Sequence, residues 1–82
     1  MATVKVHLWS GLRRLTDGAD VVAVDAATVG EMLDALVTAH PGVGPVIRGG
    51  VSVVIDGEMN TSRHAAVAPE NEIYLMQRLK GG

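Results

Sequence analysis

The residues able to do chemistry stand at one end of this sequence, which closes Gln77-Arg78-Leu79-Lys80-Gly81-Gly82. Two residues without Cβ atoms form the thinnest peptide available, able to lie extended in a narrow channel with the terminal carboxylate open to approach. A carboxylate is a poor electrophile. Use of Gly82 as an acyl donor therefore needs conversion to an acyl adenylate, which gives the carbonyl a good leaving group before a sulfur or amine nucleophile attacks. Gly81 keeps that approach unhindered, and Arg78 and Lys80 supply cations that can guide the segment 77–80 into an acidic channel or toward ATP phosphates on an activating enzyme. Paired glycines also occur as frayed ends without function, so the motif acquires meaning only from the domain that carries it.

The remaining inventory offers no competing chemistry. There are no cysteines, hence no thiol nucleophile and no disulfide, which permits a reducing, cytoplasmic setting. His7, His40 and His64 lie far apart without ligand spacing, and surface or helix-end roles suit them better than a metal. No acid–base or nucleophile–base pairing stands out, so the chain reads as a carrier or co-substrate rather than an enzyme. Arg13 and Arg14 form either a solvated pair or a docking point for an acidic surface. With 82 residues, 48% hydrophobic and 20% charged, the chain has the size of a single domain over 1–82 with a flexible tail over 77–82. Its net charge of −2 provides no basic stripe for nucleic acid. Lys5 and His7 break the first apolar run before it becomes a targeting core, and no run approaches the length that crosses a membrane.

The elements that must position the end follow from periodicity. Val4, Val6 and Leu8 alternate with Lys5, His7 and Trp9, predicting a half-buried strand over Thr3 to Trp9. Ser10 to Asp20 is turn-rich, with Leu12 and Leu15 placed to cap the core, and Val21 to Val24 is a second strand in an antiparallel hairpin with the first. Thr28 with Glu31 is a capping box, and Val29, Met32, Leu33, Leu36 and Val37 recur at helical spacing until His40-Pro41-Gly42 stops them. One helical turn is expected at Val46 to Arg48. Val51 to Ile55 is a third strand, and Asp56-Gly57 is a tight turn into Glu58 to Asn60. Thr61 to Asn71 is polar, with Ala66, Val67 and Ala68 touching the core, and Glu72 to Arg78 is the last strand. This order predicts an α+β roll, a mixed sheet of four to five strands packed on one main helix. If Val4 and Val6 face inward, Trp9 faces outward, where Tyr74, Met76 and Val54 share its side as an apolar partner surface; otherwise Trp9 covers the sheet edge.

Val4 to Leu8, the run Ala27-Thr28-Val29-Gly30-Glu31-Met32-Leu33-Asp34-Ala35-Leu36, Val53 to Glu58, Asn71 to Leu75 and the closing Gly81-Gly82 together resemble the MoaD/ThiS family of ubiquitin-like sulfur carrier proteins. The resemblance covers essentially the whole chain. It implies a β-grasp (ubiquitin-like) fold and adenylation of Gly82 by an adenylyltransferase related to ubiquitin-activating enzymes, using ATP and Mg²⁺. Sulfur from a persulfide donor protein would then replace the adenylate as a thiocarboxylate. It further implies delivery to a sulfur-accepting synthase subunit or enzyme, with no cofactor held by the carrier itself. The long connection from Ser10 to Asp20 resembles that of the molybdopterin synthase small subunit, whereas Arg78-Leu79-Lys80-Gly81-Gly82 is closer in character to the end of ubiquitin. Two other readings stand beside it: a protein modifier joined to lysines through Gly82, and a β-grasp interaction module without chemistry of its own.

Overall fold

A computed structural model describes residues 3–60 and 62–77. The strands are β1 (Thr3–His7), β2 (Val21–Asp25), β3 (Val51–Ile55), β4 (Glu58–Asn60) and β5 (Ile73–Gln77), and the helices α1 (Val29–Ala39) and α2 (Gly44–Gly49). They form one five-stranded sheet in the order β2-β1-β5-β3-β4. β1 pairs antiparallel with β2 and parallel with β5, and β3 pairs antiparallel with both β5 and β4. This mixed roll around one main helix is the expected β-grasp arrangement. The final strand lies at its centre, flanked by the first and third.

Alternation decides which face is buried. Val4 and Val6 of β1, Val22 and Val24 of β2, Val53 of β3, and Ile73 and Leu75 of β5 all point to one side. There they meet Val29, Met32, Leu33 and Leu36 of α1, the stripe that recurs at three- and four-residue intervals. Leu12, Val43 and Val67, from three different connections, close the remaining gaps in this core. Thr16 is the one buried polar residue among those described, and its hydroxyl lies 3.0 Å from the Ala19 carbonyl oxygen and 3.2 Å from that of Leu12. It can donate to either, which removes the cost of burying it.

The start of α1 is satisfied on every side. The Thr28 hydroxyl accepts from the Glu31 amide at 3.2 Å, and the Glu31 carboxylate reaches back to accept from the Ala27 amide at 2.8 Å. The amides of Val29 and Gly30 donate at 2.9 Å to the carbonyls of Ala65 and Arg63, so two further unpaired donors of the first turn are filled by the segment leading to β5. Gly30 permits this approach, because a Cβ there would stand 3.3 Å from the Arg63 carbonyl oxygen. Val67 then donates to the Ala27 carbonyl at 3.0 Å and buries its side chain, as expected of the 66–68 run, whereas Ala66 stays exposed.

Asp56 (φ 51°) and Gly57 (φ 85°) make the two-residue hairpin between β3 and β4, the conformation that Asp-Gly favours. The Asp56 carboxylate also accepts from the Asn71 side-chain amide at 2.7 Å and from the Glu72 amide at 2.8 Å, while its own amide donates to the Glu72 carbonyl at 2.8 Å. The turn is thereby tied to the root of β5.

Several expectations need correction. β1 stops at His7 instead of Trp9: the Leu8 amide still donates to the Asp20 carbonyl, in register with β2, but the Trp9 carbonyl accepts from the Leu12 amide as the chain winds into a 3₁₀ helix over Ser10–Leu15. Leu12 caps the core as expected, but Leu15, one 3₁₀ turn further along the same side, reaches past the core to lie beside Gly42 and is 37% exposed. The single turn expected at 46–48 is the six-residue α2, begun one residue ahead of Pro45, which fits the first turn of a helix. Arg78, placed in the last strand by sequence, lies outside the described residues, as does Thr61.

Candidate functional site

Gln77 is the last residue of β5 and pairs with Val51 at the start of β3. The expected reactive end, Arg78, Leu79, Lys80, Gly81 and Gly82, lies outside the described residues. What the fold establishes is the platform that precedes it: Gln77 closes the central strand of the sheet.

The side of the sheet away from α1 carries an uncovered apolar row. Register places Val21 of β2 opposite His7 of β1, His7 opposite Tyr74 of β5, Tyr74 opposite Val54 of β3, and Val54 opposite Met59 of β4. One line of residues thus crosses all five strands. Val21 is 42%, Tyr74 41% and Met59 67% exposed, and Met76, two residues beyond Tyr74 toward the tail, is 49% exposed. The His7 and Tyr74 rings stack with centroids 4.5 Å apart and planes 21° from parallel, so each holds the other in place across the β1–β5 pair. Large, stiff side chains in a contiguous apolar patch are what a partner surface requires.

Val54, Tyr74 and Met76 therefore share the open face as expected. Trp9 does not lie on a strand; it packs partly buried against the core and leans over Gly11, where an added Cβ would come within 2.8 Å of the indole nitrogen. Sequence reasoning passed over Val21, His7 and Met59. Each alternates with buried or turn residues, a usable signal, but only pairing across four ladders reveals that they form one row.

Arg13 pairs with Asp20 across its own loop, while Arg14 is exposed. His40 ends α1, its amide donating to the Leu36 carbonyl at 2.8 Å, and His64 is exposed in the 62–71 segment. Among the described residues no three His, Asp or Glu side chains converge as a metal site, and no helix is long and apolar enough to cross a membrane. A shallow cleft of about 240 Å³ lies between the helices and the β3–β4 edge, lined by Leu33, Ile47, Met59 and Arg63 among others. Arg63 is held there by Asp34 at 3.3 Å.

No family model and no curated protein matches the chain. Solved structures do. The crystal structure of SAMP1 from Haloferax volcanii is 32% identical over 99% of this chain and 100% of its own, with a TM-score of 0.77. A chain of the Amycolatopsis orientalis BexX/CysO complex matches over 96% of this chain and 99% of its own at 23% identity and a TM-score of 0.80. One of the Helicobacter pylori complex of subunits 1 and 2 of molybdopterin-converting factor matches over 98% and 99% at 15% identity and a TM-score of 0.69. The last two show the fold alone; the first extends the likeness to sequence along the full length of both proteins. On that identity and the five-stranded roll that accompanies it, the chain belongs to the MoaD/ThiS family of ubiquitin-like sulfur carrier proteins.

Proposed function

We propose that this protein carries sulfur on its C-terminal carboxylate, with Gly82 as the acyl group, Gly81 as the unhindered approach and residues 78–80 as the segment threaded into a partner, Gln77 being held in β5 as its root. The observation that carries this reading is the sequence Gly81-Gly82 placed a few residues past the central strand of a sulfur-carrier fold. Five residues follow Gln77, a length that spans about 17 Å at full extension, enough for a partner seated on the globule to reach the end in its own interior.

In the proposed chemistry a Gly82 carboxylate oxygen attacks the α-phosphorus of ATP on an adenylyltransferase, expelling pyrophosphate and leaving an acyl adenylate. Hydrosulfide displaces AMP to give the thiocarboxylate directly. If a protein persulfide attacks instead, its terminal sulfur bonds to the carbonyl, and a second thiol reduces the remaining S–S bond. The carrier contributes position alone, and the apolar row through His7, Tyr74 and Val54, with Met76 on the tail side, is the surface by which partners grip it. A synthase subunit as acceptor is supported by the Amycolatopsis and Helicobacter complexes, and a molybdopterin-type acceptor by the long 10–20 connection.

The test is mass spectrometry of the intact chain after incubation with its adenylyltransferase, ATP and a sulfur donor. A gain of 16 mass units on the Gly82 peptide, from replacement of oxygen by sulfur, is expected at about one per chain. Absence of that exchange, or a mature protein whose last residue is not Gly82, refutes the proposal. A second reading, capture of the activated Gly82 by protein lysines, is favoured by the likeness to a protein named a small archaeal modifier; adducts on other proteins with no thiocarboxylate would establish it instead.

A further inference from the structure

An activated acyl end reacts with any accessible amine, so the distribution of amines on the carrier itself matters. Five of the seven cationic side chains are arginine; the two lysines are Lys5 and Lys80. A guanidinium stays protonated and is no acyl acceptor at neutral pH. Lys80 belongs to the segment that the proposed activation threads into a partner, which leaves Lys5 as the side-chain amine carried on the folded body.

Its setting suits attack. Lys5 is the middle residue of β1, a strand hydrogen-bonded on one side to β2 and on the other to β5, so its backbone is fixed. Its side chain is exposed on the open face, since Val4 and Val6 on either side of it are buried. The residue opposite on β2 is Ala23, whose side chain is a single methyl group. Among the described residues Lys5 makes no hydrogen bond or ion pair through its side chain.

We propose that Lys5 is the acceptor by which one copy of this chain is joined to the activated end of another. The unprotonated Nζ attacks the Gly82 carbonyl carbon of an adenylated second copy; a C–N bond forms, the C–O bond to phosphate breaks, AMP leaves, and the surplus amine proton passes to solvent. This rests on the second reading above, in which the activated end is captured by amines, and ATP is the only co-reactant.

The full-length protein is incubated with its adenylyltransferase and ATP, without a sulfur source, in parallel with the same mixture containing Nα-acetyl-lysine methyl ester as a soluble amine. The expected product has the mass of two chains less one water, and trypsin, cutting after Lys80, leaves a Gly-Gly remnant on the Lys5 peptide. K5R retains the charge and the ATP–pyrophosphate exchange rate but loses at least nine-tenths of the adduct. Capture of Gly82 by the soluble amine without any remnant on Lys5, or with the remnant on Lys80 or the α-amine, overturns the assignment to Lys5. Failure of the soluble amine to be captured as well overturns the amine-capture reading itself.

Discussion

The carboxylate of Asp56 does two separable jobs, and substitution distinguishes them. It accepts two hydrogen bonds that tie the β3–β4 turn to the root of β5, from Asn71 at 2.7 Å and from the Glu72 amide at 2.8 Å. It also belongs to a residue type that tolerates the left-handed backbone found there, φ 51°. Both hydrogen bonds are solvent-exposed, so each contributes about 0.5–1 kcal/mol. An alanine forced into the left-handed region costs about 1 kcal/mol more. Asp56→Ala should therefore lower stability by about 2–3 kcal/mol, or roughly 10–20 °C in Tm for a domain of this size. Asp56→Gly loses the same hydrogen bonds but adopts positive φ freely, and should cost about 1 kcal/mol less. Asp56→Asn keeps the backbone preference and one acceptor oxygen and should fall between the wild type and glycine. Urea unfolding followed by circular dichroism measures all three. Equal losses for alanine and glycine, or an alanine variant within 0.5 kcal/mol of wild type, would refute the division.

Leu36→Ala removes a side chain with no solvent exposure at the centre of α1's buried stripe and should cost about 3 kcal/mol in the same unfolding measurement. Thr28→Ala leaves the Glu31 amide without its acceptor and should cost about 1 kcal/mol, with amide exchange accelerated first in residues 28–31. Tyr74→Ser strips the stacked ring from the open face; calorimetric titration against the adenylyltransferase should show at least a tenfold weaker Kd, with Tm within a few degrees of wild type. Removing Gly82 should abolish ATP–pyrophosphate exchange while leaving the unfolding curve unchanged, because an end residue contributes little to stability.

The parts of this fold written in local chemistry were legible in the sequence. Thr28 and Glu31 announce the start of α1, His40-Pro41 its stop, Asp56-Gly57 the hairpin, and the alternation of Ile73 and Leu75 with Tyr74 and Met76 the two faces of β5. What depended on distant pairing was not. That the first and last strands lie side by side, and that Ala65 and Arg63 fill the amides opening α1, follow from the closed roll and leave no mark in any short window. The apolar row was half seen for the same reason: Tyr74, Val54 and Met76 stand out as large residues, whereas Val21, His7 and Met59 join them only once the ladders set the register. Trp9 misled because it continues the alternation of the strand, whereas its carbonyl accepts from the Leu12 amide to open the 3₁₀ helix and its indole settles over Gly11.

The central position of β5 has a mechanical consequence. An end that is gripped, drawn into a partner and released many times transmits tension into the body at its point of attachment. An outermost strand would peel away one bond at a time, like a zip. In the proposed activation the load enters β5 at Gln77, where β3 alone pairs with it, and β1 shares it only from Tyr74 inward. The first bonds to feel the pull are therefore those to Val51, Ser52 and Val53.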